Sequence, residues 1–522
     1  MNNTTTSTSI TENTPIEVTP YRGVGKEACA ASRYVSTKNM WLYALMTFHV
    51  LMWTIIPTWV RSALPIDSME STLWGRQLEW GYDKNPYLNA WLSELAIKIA
   101  GQTDWILYLF AQLAIAICFF ALWRLARKFL SPVHALIAVF LLEGIQYFNL
   151  AGIDFNDNLI ELPLWALITL FFYRALQQQK TLDWILTGLF AGLSMMDKYF
   201  TVLLLIPLAL FLVSTTVGRS SFKKIGLYLG LGIFTVVITP HVVWLFQHDF
   251  ITVQYAFNRV SSPPSLLTHI SHPLYFALLQ LATFLPALIL FSVVYFGRGH
   301  QPAISQQQVL TLFQKQFLLV AGLGPFLLTI LLSGLTGITL QTMWGTPLLI
   351  LWTMLLLAWV QPAVSLWQWR RFIVAVITLM ALLLIGFIIA YSHTGNTSKA
   401  QFPGKVIGMD LTKRWHEQFH TPLSFVAGPR WFAGNISFYS PDRPAVYIDW
   451  QINVSPWINE QQLKKSGAIF VWEITPLQKN IPADIAMRFP SLKILPIQYY
   501  HWMKDQNAAP LPLGVGFLPP GN

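Results

Sequence analysis

The segment DSMESTLWGRQLEWGYDKNPYLNAWL (67–92) follows the first long apolar run of the chain and is polar, acidic and aromatic. It begins with Asp67, which lies at the predicted end of a membrane helix. A carboxylate close to lipid is costly, and membrane proteins usually keep one there for chemistry or transport. The segment therefore predicts an active-site loop at one face of a membrane protein.

The composition of the whole chain supports a membrane location. Of its 522 residues, 54% are hydrophobic and 11% are charged, and the mean hydropathy is +0.48. Soluble proteins contain about 25% charged residues. The 22 Trp and 35 Phe suit the aromatic belts at membrane interfaces. Cys29 lies in the N-terminal tail and Cys118 in a predicted span, so the sequence predicts no disulfide framework.

Eleven apolar runs predict about eleven membrane helices, since a span needs about 17–25 residues. The runs are 41–60, 105–123, 133–150, 158–173, 183–196, 200–217, 225–246, 274–296, 316–333, 343–360 and 372–391. Alternate loops contain an excess of Lys and Arg, which predicts a cytoplasmic N-terminus and an outward-facing C-terminal region. The net charge of +10 is therefore a topology signal, and no nucleic-acid partner is expected.

Composition divides the chain into three regions. Residues 1–38 are rich in Ser, Thr and Asn and predict a disordered cytoplasmic tail. Residues 39–392 form the predicted membrane domain, with a first outer loop at 61–104. Residues 393–522 have the composition of a small soluble α/β domain on the outer face.

Local patterns within the last region predict its elements. The alternation of apolar and polar residues between Gly and Pro turns at 425–450 predicts strands. Residues 457–467 predict a helix that ends at Gly467, and 468–474 predict a buried strand.

The predicted topology places the unusual polar side chains on one face. They are Asp67, Glu70, Tyr82, Lys84 and Asn85 in the first outer loop, Asp154 and Asp157 in the second, and Lys198, Tyr199 and Arg259 in later turns. A carboxylate can take the proton of an acceptor hydroxyl, and Lys or Arg can neutralise a departing phosphate. An ion-coupled transporter also needs buried carboxylates, so composition leaves that alternative open.

Structural roles compete with these functional ones. Asp67 could be only a helix cap. Glu79 and Glu94 are expected on the wet face of an amphipathic helix, and Lys84 beside Asp83 could be a surface ion pair of little energetic value.

Motifs of soluble enzymes do not occur in the sequence. It has no phosphate-cradling GxxxxGK[ST], no HExxH and no paired CxxC, and no cluster has the spacing of metal ligands. No cofactor is firmly implied, and the need for a divalent metal is left open.

Several stretches, taken in order, resemble one family. They are GYDKNPYLNAW (81–91), FNDNLIELPLWAL (155–167), WILTGLFAGLSMMDKY (184–199), PHVVWLFQHDFITVQYAFNR (240–259) and SFYSPDRPAVYID (437–449). With Asp67 ahead of them, they are similar to the GT-C membrane glycosyltransferases that use polyprenyl-phosphate sugars. Within that class the chain resembles glycosyltransferase family 39, which contains protein O-mannosyltransferases and the lipid A aminoarabinose transferase.

The resemblance implies an inverting glycosyltransferase with Asp67 as its catalytic carboxylate. Asp154 or Asp157 would be the second acidic residue. Lys84, Lys198 and Arg259 would surround the donor phosphate. Glu70, Tyr82, Asn85 and Tyr199 are expected to contact substrate.

The chain departs from the family pattern at two places. Ser68 stands where many relatives have a second acid, and Glu70 could compensate from one helical turn away. Lys84 and Asn85 are shifted against the basic residue that many relatives place directly before Pro86.

The sequence thus predicts an α-helical polytopic membrane protein of the GT-C fold with a small C-terminal extracytoplasmic α/β domain. Its predicted partners are a polyprenyl-phosphate sugar donor, membrane lipid, and a glycolipid, glycan or protein acceptor at the outer face of a bacterial inner or plasma membrane. The alternatives are a transporter or flippase of a polyprenyl-linked glycan, and a scaffold for envelope assembly.

Overall fold

The computed structural model describes residues 40–260, 265–296, 302–392, 397–476 and 480–521. The predicted disordered tail, 1–38, and the predicted domain boundary at 393 lie outside these residues.

Long apolar helices dominate the first part of the described chain. Seven of them are long and apolar enough to cross a membrane. They are α1 (Met40–Val60), α4 (Asp104–Ala126), α6 (Asp157–Gln178), α10 (Ile225–Gln247), α12 (Thr268–Tyr295), α13 (Leu312–Thr336) and α15 (Leu366–Ser392). The protein is therefore an integral membrane protein.

The other predicted spans are shorter or bent. The shorter apolar helices run over Pro132–Gly144, Thr181–Met195 and Tyr199–Ser214, and contain α5 (Pro132–Phe140), α7 (Thr181–Met195) and α8 (Val202–Ser214). The segment Thr342–Leu349 meets α14 (Trp352–Val360) at an angle of 46°. Each of the eleven predicted runs thus coincides with helix in the described chain, whereas eleven as a number of membrane crossings stays a prediction.

Short helices occupy the loops between the spans. They are α2 (Ile66–Gly75), α3 (Leu88–Ala100), α9 (Thr216–Ser221) and α11 (Ile251–Val260). Helix α2 begins directly after Pro65, a residue that favours the start of a helix over its interior. A Cβ on Gly75 would lie 2.2 Å from the carbonyl oxygen of Ala90, so glycine allows α2 to end against α3. This close crossing fixes the helix that contains Asp67.

The C-terminal region is an α/β domain, as predicted. Its helices are α16 (Gly404–Phe419), α17 (Arg430–Tyr439), α18 (Glu460–Ser466) and α19 (Ala483–Arg488). Its strands are β1 (Phe425–Gly428), β2 (Ala445–Ile448), β3 (Ala468–Glu473), β4 (Lys493–Ile494), β5 (Gln498–Tyr500) and β6 (Leu511–Leu518). The sheet has the order β2-β1-β3-β6-β4, with β5 also paired to β6. Strands β2, β1 and β3 are parallel, and β6 is antiparallel to β3.

One prediction for this domain is wrong. The alternation at 425–450 predicts only strands, but α17 separates β1 from β2 because parallel neighbours need a crossover connection. The predicted helix ending at Gly467 and the buried strand that follows it are confirmed by α18 and β3.

Helix α17 packs against α2 at the membrane-domain surface. A Cβ on Gly434 would come within 3.1 Å of Leu73 and 3.4 Å of Met69, so this glycine lets the two helices approach closely. Met69 and Leu73 are 1% and 2% exposed. The opposite edge of α2 bears Asp67 and Glu70, so the α/β domain supports the back of the helix that presents these acids.

The contact between α7 and α10 is tighter still. A Cβ on Gly188 would lie 1.9 Å from the carbonyl oxygen of Gly230, whereas a Cβ on Gly232 would meet no atom within 4 Å. Small residues allow membrane helices to approach backbone to backbone, where packing contacts replace the hydrophobic effect as the source of stability.

We expect Gly188→Ala to lower the free energy of unfolding by about 1–3 kcal/mol, because the methyl group must push the two helices apart. Gly232→Ala is the matched control on α10 and should leave stability unchanged or slightly higher. The measurement is the thermal midpoint of purified full-length protein in detergent. Equal midpoints for the two variants would contradict the close backbone contact.

Candidate active site

One cavity of about 420 Å³ lies where the first outer loop, the start of α6, the turn after α7 and helix α11 meet. Its lining brings together eight of the predicted site residues, which are Asp67, Asp157, Lys84, Lys198, Arg259, Glu70, Asn85 and Tyr199. Phe200, Val202, Leu203, Met343 and Trp344 give the cavity an apolar side. The site is thus shaped for a molecule with both charged and apolar parts.

Asp67 lies in the first turn of α2, where the helix dipole favours a negative charge. The amide of Asn156 donates to its carboxylate at 3.4 Å, and the same Asn156 caps α6 by accepting from the backbone N–H of Leu159 at 3.0 Å. Burial raises the pKa of Asp67 to about 7, and three neighbouring carboxylates add to the rise while Lys84 opposes it. A carboxylate with this pKa can accept a proton near neutral pH.

The other two cavity acids form ion pairs with cavity lysines. Lys84 lies 2.7 Å from Glu70, and Lys198 lies 3.1 Å from Asp157. Lys198 also donates to the side chain of Asn158. Burial alone would lower the pKa of Lys198, but Asp157 and other nearby carboxylates outweigh it and raise that pKa. Lys198 therefore stays charged.

Two charged cavity groups lack such a pair. Within the described chain, neither Asp67 nor Arg259 has an ion-pair partner within 4.0 Å. Arg259 lies on α11 with an exposed side chain. The pairing thus leaves one carboxylate and one guanidinium available to a ligand, beside two lysines whose charges are already balanced.

The structure places Asp154 outside the lining of this cavity. Its carboxylate accepts from the backbone N–H of Ser68 at 2.9 Å and from the Ser68 hydroxyl at 2.7 Å. Burial raises the pKa of Asp154, and both hydrogen bonds from Ser68 oppose the rise. Ser68 thus ties α2 to the second outer loop.

Tyr82 is also outside the lining, and its contact with substrate stays a prediction. It is 0% exposed and stacks on Trp74 with ring centroids 5.4 Å apart. Its hydroxyl accepts from the backbone N–H of Glu79 at 3.2 Å. The aromatic residues of the first outer loop thus form a small core beside the cavity.

The structure contradicts the expected solvated position of Glu94 and the alternative of a surface pair between Lys84 and Asp83. Glu94 is 5% exposed and pairs with Arg443 at 2.8 Å, and Lys84 pairs with Glu70 rather than with Asp83. Asp83 instead accepts from Arg430 at 2.7 Å. Arg430 and Arg443 both belong to the C-terminal domain. These partners of Asp83 and Glu94 are far away in sequence, so local patterns could not reveal them.

Several residues next to the cavity have no individual role predicted from the sequence, although Asp197 and Glu161 belong to its polar clusters. Asp197 and Glu161 are fully buried near Lys198, and burial raises the pKa of Asp197 well above its usual range. Asp197 directly precedes Lys198, which was the available signal. Trp344 and Arg430 gave no such signal because neither lies in a predicted outer polar cluster.

No group of three or more His, Cys, Asp or Glu side chains in the described chain is arranged to hold a metal ion. His416, in the C-terminal domain, contacts Asp442 at 2.6 Å.

The fold has a counterpart among solved structures. It matches the crystal structure of ArnT from Cupriavidus metallidurans bound to undecaprenyl phosphate, with a TM-score of 0.60 and 12% identity over 92% of this chain and 98% of that chain. Together with the sequence comparisons below, this match confirms the predicted fold class and the resemblance to GT-C glycosyltransferases. The chain therefore has the GT-C fold.

The sequence comparisons agree. Residues 84–244 match the family model described as dolichyl-phosphate-mannose-protein mannosyltransferase. The lipopolysaccharide core galacturonosyltransferase RgtA of Rhizobium johnstonii is 23% identical over 475 residues, which cover 88% of this chain and 91% of RgtA. The lipid A galacturonosyltransferase RgtD of the same organism is 24% identical over 200 residues, which cover 36% of this chain and 40% of RgtD.

We expect Asp67→Asn to raise the thermal midpoint of the protein, and to raise it more at pH 8 than at pH 5. The pKa of Asp67 in the folded state, about 7, lies above the ordinary value of 3.8. The folded state therefore loses stability as pH rises between these values, and the neutral amide removes that loss.

Asp154→Ala is the contrasting variant. It should lower stability by about 1–3 kcal/mol, because Ser68 loses the acceptor of two hydrogen bonds. A lower midpoint for Asp67→Asn at pH 8 would contradict a strained, unpaired carboxylate at position 67.

Proposed function

We propose that the protein is an inverting glycosyltransferase that moves one sugar from a polyprenyl-phosphate donor to a lipopolysaccharide-type glycolipid at the outer face of the membrane. One observation supports this above all. A single cavity joins Asp67, a carboxylate without an ion-pair partner among the described residues, to three cationic side chains and an apolar wall.

Asp67 would act as the general base. The acceptor hydroxyl oxygen attacks the anomeric carbon of the sugar and its proton passes to Asp67, while the bond from that carbon to the phosphate oxygen breaks. The polyprenyl phosphate leaves with the electron pair of that bond. Attack from the side opposite the leaving group inverts the anomeric centre.

The cationic groups would hold the donor phosphate. Arg259 can form two parallel hydrogen bonds to phosphate oxygens, and Lys84 and Lys198 can follow the charge that develops on the leaving group. Asp157 holds Lys198 at 3.1 Å, which makes it a positioning residue in this scheme. The apolar side of the cavity suits the first isoprene units of the lipid. The solved ArnT structure with undecaprenyl phosphate supports a donor of this kind.

The relatives suggest the sugar and the acceptor. RgtA and RgtD are galacturonosyltransferases of the lipopolysaccharide core and of lipid A. We therefore propose a galacturonic-acid-type sugar, whose carboxylate would be a second anion in a cavity with three cations. Asn85 and Tyr199 would contact the sugar. Glycan and protein acceptors are the alternative products of the test below.

The excess of basic residues in alternate loops supports the proposed orientation. It favours a cytoplasmic N-terminus, with the cavity and the C-terminal domain at the outer face. A lipid-linked donor and a glycolipid acceptor can then meet at the same membrane surface.

Transfer by purified protein in nanodiscs tests the proposal. The wild type should move labelled sugar from undecaprenyl-phosphate galacturonic acid to an envelope-lipid extract. Asp67→Asn should lose about 10²–10⁴-fold in rate, because the base that removes the hydroxyl proton is gone.

Asp484→Asn is the matched control, since Asp484 lies on α19 with an exposed side chain, away from the cavity. Its rate should equal that of the wild type. Equal transfer by folded Asp67→Asn would remove Asp67 from the mechanism. Donor binding without transfer, equal in both proteins, would instead favour a transporter of the lipid-linked sugar.

The rate of transfer should rise with pH and level off above about 7. Only ionised Asp67 can accept the proton, and its raised pKa of about 7 sets the point at which the base form becomes dominant. The measurement is kcat/KM for the donor between pH 5.5 and 9. A profile that is flat over this range would show that the ionisation of Asp67 does not control the reaction.

A further inference from the structure

Arg430 belongs to the C-terminal domain, and its side chain contacts acidic residues of the first outer loop. It begins α17, and its guanidinium donates to Asp83 at 2.7 Å and to Glu70. Its charged end also lies 5.7 Å from the centre of the Trp74 ring, a cation–π distance. The side chain is 18% exposed, and those of Glu70 and Asp83 are each 7% exposed.

These contacts continue to the cavity. Glu70 accepts from Lys84 at 2.7 Å as well as from Arg430, so four charges alternate in sign as Lys84, Glu70, Arg430 and Asp83. Only Glu70 and Lys84 line the cavity. The charge network therefore has two parts. Lys84 and Glu70 face the cavity, and Arg430 and Asp83 lie behind them.

We propose that Arg430 is a positioning residue, through which the C-terminal domain holds Lys84 toward the donor phosphate. Two carboxylates compete for the ammonium group of Lys84. Glu70 lines the cavity, whereas Asp83, the preceding residue in the chain, does not. Arg430 occupies Asp83 and leaves the pair of Lys84 with Glu70 intact. This inference rests on the proposed function for its substrate, but on the contacts alone for its geometry.

Loss of Arg430 would upset this balance. Asp83 would become a buried carboxylate without a partner, and such a charge carries a large desolvation cost. The nearest cation that could pair with Asp83 is Lys84, the next residue in the chain. To form this pair, the Lys84 side chain would turn away from the cavity. Asp449 of the C-terminal domain also lies near Arg430 and Lys84, and would draw Lys84 in the same direction.

Arg430 is not the only attachment of the domain. Arg443 pairs with Glu94 on α3 at 2.8 Å, and the hydroxyl of Tyr439 donates to Asp104 on α4 at 2.9 Å. Neither pair lines the cavity. Arg443 is therefore a matched control, since it joins the same domain to the same outer loop through one buried carboxylate.

The first measurement is the Kd of full-length protein in nanodiscs for undecaprenyl phosphate alone. Arg430→Met should raise this Kd on the order of tenfold, the effect of one lost charge-assisted contact. The donor KM should rise by a similar factor, while kcat changes less. Arg443→Met should lower the thermal midpoint and leave the Kd unchanged.

The decisive variant is the double substitution Arg430→Met with Asp83→Asn. It removes both outer charges, so Lys84 again has Glu70 as its main partner, and most of the lost affinity should return. Asp83→Asn alone should bind like the wild type. A purely structural role of Arg430 would also restore the thermal midpoint in the double variant, but it predicts that Arg443→Met, which breaks a comparable buried pair, weakens binding as much as Arg430→Met does.

Arg430→Lys gives the same test with a smaller perturbation if Arg430→Met does not fold. A lysine keeps the charge but cannot bridge two carboxylates with a planar fork, so a loss of roughly threefold is expected, with recovery on addition of Asp83→Asn.

Wild-type affinity in the single variants at position 430, or a double variant as weak as the single one, would overturn the inference. The proposed function fails separately. If the wild type transfers no sugar but the order of Kd values holds, the site binds lipid phosphate as inferred and the reaction is misassigned.

Discussion

The cost of charge beside a bilayer is the constraint on which this site depends. A buried charge without a partner is expensive, so the outer loops are held together by the pairs that neutralise them. Lys198 with Asp157 joins the turn after α7 to the start of α6, and Lys84 with Glu70 joins the loop after α2 back to that helix. Of the three carboxylates that line the cavity, Asp67 is the one without an ion-pair partner in the described chain, and it is the proposed base.

The carboxyl groups near the cavity share a chemistry but differ in environment. Asp154 accepts two hydrogen bonds from Ser68, Asp157 faces an ammonium, and Asp67 has one long contact from an amide. Hydrogen bonds and opposite charge stabilise an ionised carboxylate, whereas burial without them raises its pKa. These contacts distinguish the proposed base, Asp67, from two carboxylates that join parts of the site, and sequence alone could not choose between Asp154 and Asp157.

Local patterns predicted the helical part of the fold well and the sequence-distant contacts poorly. The apolar runs predicted where helices lie, because length and hydropathy are local properties. The polar side chains of the outer loops predicted most of the charged residues that line the cavity, Asp67 and Arg259 among them. Glu94 was misplaced on a wet face because its partner Arg443 is 349 residues away. Helix α17 was missed because the Gly and Pro residues around it suggested turns between strands.

Helix α2 shows why the two domains cannot be treated separately. It has only 10 residues, and a helix shorter than about 12–15 residues is marginal by itself. One side, with Met69 and Leu73, is buried against α17, and the other presents Asp67 and Glu70 to the cavity. The same packing that makes the helix stable therefore sets the position of its carboxylates. A shift of α17 would move the proposed base, so the C-terminal domain is part of the active-site structure rather than a cap upon it.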